Sequence, residues 1–260
     1  GVDMSHPDLA ANLDTRNALN MVEAGRPVDD DFGHGTHVAG IIAAVGNNGL
    51  GSIGLAWKTK VMPIRVLGVD GTGTTYDTAA AIEHAVAKGA SVINMSLGSP
   101  DRSKIEEQAV ARAIAAGVVV VAAAGNEAGS GNYLEYPACY PGVLSVGAID
   151  PELKRASFSN FNSQVSLVAP GVDILSTIPS RLVPGGQGRA VGFLSGTSMA
   201  SPFVAAAAAL VLTVHPNWTP AQVAKRLTDS ASDLTFTGDA PGYDVYTGFG
   251  LLDAARAVGN

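Results

Sequence analysis

The segment Val118-Val-Val-Val-Ala-Ala-Ala124 is apolar at every position, so an extended chain there has no face suited to water. Such a strand is stable only between two covering layers, which means a sheet with helices on both sides. The neighbouring sequence repeats the theme. Strands are predicted at 61–66, 91–96, 118–124, 143–148 and 165–169, with helices at 76–88 and 105–116 between the earlier ones. In the first helix Ile82, Ala85 and Val86 share a face and Gly89 is the stop. Ser103 is the predicted N-cap of the second helix and Gly117 its stop. Strand, helix, strand, helix at this spacing predicts right-handed crossovers in a parallel sheet, and so one α/β domain.

Composition narrows the function classes. With 260 residues, 47% apolar and 15% charged, the chain has ample material for a core, and disorder is excluded. Its 31 glycines are not periodic, which excludes a collagen-like repeat and predicts many tight turns. The formal charge is −7 and no Lys or Arg run stands out, so no nucleic-acid partner and no anionic membrane surface is expected. The apolar runs 113–125 and 203–212 fall short of the roughly 20 residues of a membrane helix, so no membrane span is predicted. The single Cys139 cannot form an internal disulfide.

Ligands of parallel α/β sheets bind at the carboxyl ends of the strands. The segments there are Ser96-Leu-Gly98, Ala123-Ala-Gly-Asn126 and the loop around Gly71-Thr-Gly73, all rich in small residues. Three segments carry chemistry. In Leu194-Ser-Gly-Thr-Ser-Met-Ala-Ser-Pro202 a hydroxyl precedes an almost wholly apolar helix, placing Ser198 at a buried, positive helix end; the alternative is that these hydroxyls only cap a core helix. In Gly33-His-Gly-Thr-His37 a glycine-framed His34 opens another apolar helix, while Asp29 to Asp31 read as a solvated turn. Asn126 follows the buried strand, either as a turn residue or as an amide donor aimed at an oxyanion.

Taken together, His34-Gly-Thr-His-Val-Ala-Gly40, Asn94-Met-Ser-Leu-Gly98, Ala122-Ala-Ala-Gly-Asn126 and Gly196-Thr-Ser-Met-Ala-Ser-Pro202 closely resemble the motifs of the subtilisin-like serine proteases, the subtilases. The resemblance implies a three-layer α/β/α domain over 1–260 with a mainly parallel central sheet. It implies a serine endopeptidase working through an acyl-enzyme, with Ser198 as nucleophile, His34 as general base and then acid, and Asn126 as oxyanion donor. His37 would be structural. An extended polypeptide substrate would pair with Ser96, Leu97 and Gly98 on one side and Gly71, Thr72 and Gly73 on the other. Ala124 and Gly125 would wall the pocket for the side chain before the scissile bond, with Glu135 at its floor, where a carboxylate favours Lys or Arg. Structural Ca²⁺ is expected on Asp8, the Val45 carbonyl and Asn48, with Asn47 as substitute.

The resemblance further implies a secreted, monomeric enzyme made with its own pro-segment. The family's catalytic Asp ends the first strand, two positions before Gly1, so the chain is read as a catalytic domain lacking that strand. The competing reading is an inactive Asp-less relative serving as a binding or scaffold protein. A metal hydrolase built on His34 and His37 is disfavoured because the motif lacks the Glu of His-Glu-x-x-His.

Overall fold

The computed structural model describes residues 1–183, 190–235 and 241–259. A short parallel pair, β1 (Leu19–Asn20) and β2 (Ile64–Arg65), flanks helix α1 (His34–Ala43). Then come α2 (Thr75–Ala87), β3 (Val92–Met95), α3 (Lys104–Ala115), β4 (Val119–Ala123), β5 (Leu144–Ile149) and β6 (Val165–Pro170). Strands β3 to β6 form one parallel sheet in sequence order, with Ile93 opposite Val120 and Ala123 opposite Val146. An antiparallel hairpin, β7 (Ile174–Thr177) with β8 (Val191–Leu194), precedes α4 (Thr197–Val214), α5 (Pro220–Ser230) and α6 (Ala254–Val258).

Strand β4 explains the layers. All five of its residues are buried. Val119 and Val121 point into a cluster with Val204, Ala207, Ala208 and Val211 of α4 and Leu227 of α5. Val120 and Ala122, with Val118 just before the strand, point the other way, into a cluster with Ile82 of α2 and Val110 of α3. The two-residue period of a strand thus splits one apolar run between two cores. Each fully buried valine contributes about 1.5 to 3 kcal/mol of transfer free energy. The result is the expected α/β/α sandwich.

The five predicted strands match observed ones, although 61–66 shrinks to β2, with Val61 joined to Leu13 only by an isolated bridge. The β7–β8 hairpin was not predicted. Its segments are short, and β8 is half-buried or exposed throughout, so no clean alternation marks it. Helix α4 is long and apolar enough to match a membrane span by composition, but most of it lies inside the sandwich. Pro202 is the sixth residue of α4, past its first turn, so the Ser198 carbonyl loses its helical donor. The Ser96 hydroxyl takes that carbonyl instead, at 2.8 Å.

Candidate active site

The loops after β3 and β4 and the start of α4 converge at one end of the sheet, while α1 packs against α4 and β7. Ser198 is the second residue of α4, so its backbone N–H is one of the helix's unpaired amino-terminal donors. Its side chain is half-buried, and Oγ donates to the Ser96 carbonyl at a long 3.4 Å. Among the described residues Oγ makes no hydrogen bond to His34. Hydrogen bonds between nucleophile and base commonly tighten only when substrate arrives.

Asn126 is exposed at the end of the loop leaving β4. Its Oδ1 accepts from the Thr197 amide at 2.8 Å and from the Thr197 hydroxyl at 3.1 Å. With the oxygen held, the NH₂ end of the amide is turned outward beside Gly196, and among the described bonds it has no acceptor. The Thr197 hydroxyl also receives the Gly125 N–H at 3.1 Å. A side-chain donor and a helix-terminal N–H are therefore presented together beside Ser198.

His34 opens α1 and is half-buried. Burial lowers its imidazole below the ordinary histidine value, and the Asp30 charge offsets part of that. The neutral form is thereby favoured, as a proton acceptor requires. Asp30 itself corrects the sequence reading, because it is buried rather than solvated. Oδ1 accepts the Phe32 and Gly33 amides at 3.0 and 2.7 Å; Oδ2 accepts the Thr36 amide and hydroxyl at 2.8 and 2.7 Å. Burial would raise this carboxyl, but those donors outweigh it and hold it below its usual value. Asp30 thus caps α1 and makes no hydrogen bond to His34. Its neighbour Asp31 bridges Arg65 at 3.1 Å and Arg181 at 2.8 Å. The glycines around His34 also serve packing: a side chain on Gly35 would overlap the Gly1 carbonyl. His37 is fully buried, and its Nε2 lies 2.9 and 3.1 Å from the Ile174 and Gly192 carbonyls, a structural role as expected.

Of the two predicted substrate segments, 96–98 abuts the start of α4 through the Ser96 hydroxyl, and 71–73 lies near Phe32, two residues before His34. Gly71 and Thr72 lie in a turn closed by Gly68 N–H to Thr72 O at 2.8 Å, and a side chain on Gly71 would come within 4.0 Å of Phe32. Gly73 lies against the Val66 carbonyl. Ser96 and Leu97 are half-buried and Gly98 is exposed; Ser99, just beyond, bridges Tyr136. Ala124 is buried, and the side chain of Glu135 runs between Gly98 and Gly125. A methyl group on Gly98 would lie 2.7 Å from its Oε2, and one on Gly125 2.5 Å from its Cγ. Glu135 is only 5% exposed, so it does not turn to solvent. Burial, helped by the Glu127 charge, pushes its carboxyl up to about 7.

Asp8, Val45 and Asn48 also come together. Asp8 is fully buried. Its carboxylate accepts the Asn48 Nδ2 at 2.6 Å and the Ser52 amide at 2.8 Å, while its carbonyl accepts the Val45 amide at 2.8 Å. None of the ion pairs among the described residues includes Asp8. No three His, Cys, Asp or Glu side chains gather as a metal site among the described residues. A cation here would rest on one carboxylate plus amide and backbone oxygens, a donor set that suits Ca²⁺. Asn48 presents its nitrogen to Asp8, and turning the amide over would present the oxygen instead.

Asn160 and Glu127 were not singled out from the sequence, yet they brace the Asn126 loop. Both look like ordinary loop residues until the fold brings them against it.

A parallel α/β sandwich holding a serine at a helix entrance, beside a fixed amide donor, defines the class as a serine-hydrolase-type α/β domain. The subtilase family model matches residues 1–250, and the chain belongs to that family. It is 42% identical to subtilisin NAT of Bacillus subtilis subsp. natto, over 99% of this chain and 63% of the relative. It is also 42% identical to a subtilisin of Bacillus pumilus, over 99% of this chain and 88% of the relative. The crystal structure of fervidolysin from Fervidobacterium pennivorans, described as a keratinolytic enzyme related to subtilisin, superposes with a TM-score of 0.87 at 36% identity. That match covers 99% of this chain and 41% of fervidolysin. The chain thus spans under two thirds of subtilisin NAT and of fervidolysin.

Proposed function

We propose that the protein is a serine endopeptidase that cleaves polypeptides through an acyl-enzyme on Ser198. The observation that supports this best is the fixed amide of Asn126, whose oxygen is tied to Thr197 so that its NH₂ group stands free beside Ser198. In this reading His34 takes the Ser198 Oγ proton as the oxygen attacks the scissile carbonyl, then gives it to the leaving amine. The Asn126 NH₂ and the Ser198 N–H receive the developing oxyanion. Gly71 to Gly73 and Ser96 to Gly98 hold the substrate strand, and Glu135 selects Lys or Arg for the pocket walled by Ala124 and Gly125.

Asp8, the Val45 carbonyl and Asn48 would hold a structural Ca²⁺, which when bound would neutralise a buried carboxylate and tie the 45–52 loop to the chain around Asp8. Secretion, a pro-segment and action as a monomer complete the proposal on the strength of family likeness.

The test uses the protein expressed from its complete gene. A serine-directed phosphonylating reagent should label Ser198 and stop peptide hydrolysis, and Ser198→Ala should take no label. Loss of a triad serine costs about 10⁶ in turnover in a subtilisin. Peptide binding without labelling or hydrolysis would overturn the enzyme reading in favour of the Asp-less binding protein.

A further inference from the structure

Asn160 lies between β5 and β6 and is fully buried, yet every polar group of its side chain and its backbone N–H are spent on one loop. Its N–H donates to the Gly125 carbonyl at 3.0 Å, and its Oδ1 accepts the Glu127 N–H at 2.7 Å. Its Nδ2 donates to Glu127 Oε2 and to the Tyr133 carbonyl, both at 3.1 Å. The same Glu127 oxygen accepts the backbone N–H of Asn126 at 2.6 Å. Gly125 has φ of 107°, and any side chain there would overlap the Asn160 amide. The segment Gly125–Tyr133 contains three glycines and no strand or helix, so its own sequence does little to hold it still.

We propose that Asn160 is a positioning residue for the oxyanion donor Asn126, acting through Glu127 and Gly125; this rests on the role given to Asn126 above. Thr197 fixes the Asn126 side chain from the α4 side, and Asn160 fixes its backbone from behind. Both are needed because an oxyanion donor works only within about 2.7 to 3.1 Å of the developing charge, and misplacement by about 1 Å costs on the order of 10²-fold in rate.

The experiment is a double-mutant cycle in the protein expressed from its complete gene. Asn160→Asp keeps the Oδ1 contact but points a second acceptor at Glu127 Oε2 and the Tyr133 carbonyl. It should lower kcat at least about tenfold while KM stays within about twofold. Asn160→Ser serves if the first variant does not fold, judged by its thermal transition. In an Asn126→Leu background, itself expected to lose about 10² to 10³ in kcat, the added Asn160 change should cost less than about twofold, because the donor it positions is gone. Equal fold-losses in both backgrounds, or no loss in either, overturn the proposal while leaving the role of Asn126 intact. An unchanged kcat in Asn126→Leu alone overturns the oxyanion reading itself, and this inference with it.

Discussion

Replacing Glu135 by Gln removes a carboxylate that the fold holds against its preference. The group is 5% exposed, has no cationic partner among the described residues, and lies near the Glu127 charge, so its carboxyl rises from an ordinary 4.5 to about 7. At about 1.36 kcal/mol per unit, that displacement sets an upper bound of roughly 3 kcal/mol. Relaxation around the ionised group offsets part of that cost, and about 1 to 2 kcal/mol is expected. The sign follows from linkage. A carboxyl raised in the fold contributes its stability below its unfolded value, and that stability is lost as pH rises through about 7. Glu135→Gln should therefore be more stable than wild type at pH 9, with the advantage shrinking or reversing by pH 5. Urea unfolding at the two pH values measures this. The same ionisation should govern selection: the kcat/KM ratio for a Lys over a Phe peptide should rise with pH through about 7 in wild type and stay flat in the variant. A ratio indifferent to both pH and substitution, with a stability difference that does not change with pH, would refute the placement of this carboxylate in the pocket.

Two further outcomes test the framework. If Asp8 and Asn48 bind Ca²⁺, a chelator should lower the Tm of wild type by several degrees and leave Asp8→Asn unmoved, since a cation at about 100 times its Kd adds about 2.7 kcal/mol; equal shifts in the two proteins would rule the site out. Gly40→Ala should cost about 2 to 5 kcal/mol by chemical denaturation. A methyl there would displace the Ser176 and Thr177 hydroxyls, which donate at 2.8 Å to the His37 and Thr36 carbonyls. A loss below about 0.5 kcal/mol would show that the α1–β7 contact is looser than described.

The sandwich was legible in the sequence because burial and period are local properties. Val118 to Ala124 announced a doubly covered strand, and Gly89 and Gly117 ended their helices where expected. His34, Asn126 and Ser198 were legible because each stands in a long motif. What the sequence could not show is which side chains meet across many residues. Asp30 reads as part of an acidic turn, and only the folded chain around α1 makes it a buried cap. Glu135 reads as one more loop acid until Gly98 and Gly125 close around it, shutting out the water that would otherwise keep its carboxyl at its ordinary value. Asn160 lies 34 residues beyond Asn126, and no spacing rule connects the two. The sequence by itself determined the layers and singled out the residues proposed to react. The tertiary structure alone decided which polar groups are desolvated and what holds them, because desolvation depends on every neighbour at once and not on any stretch of chain.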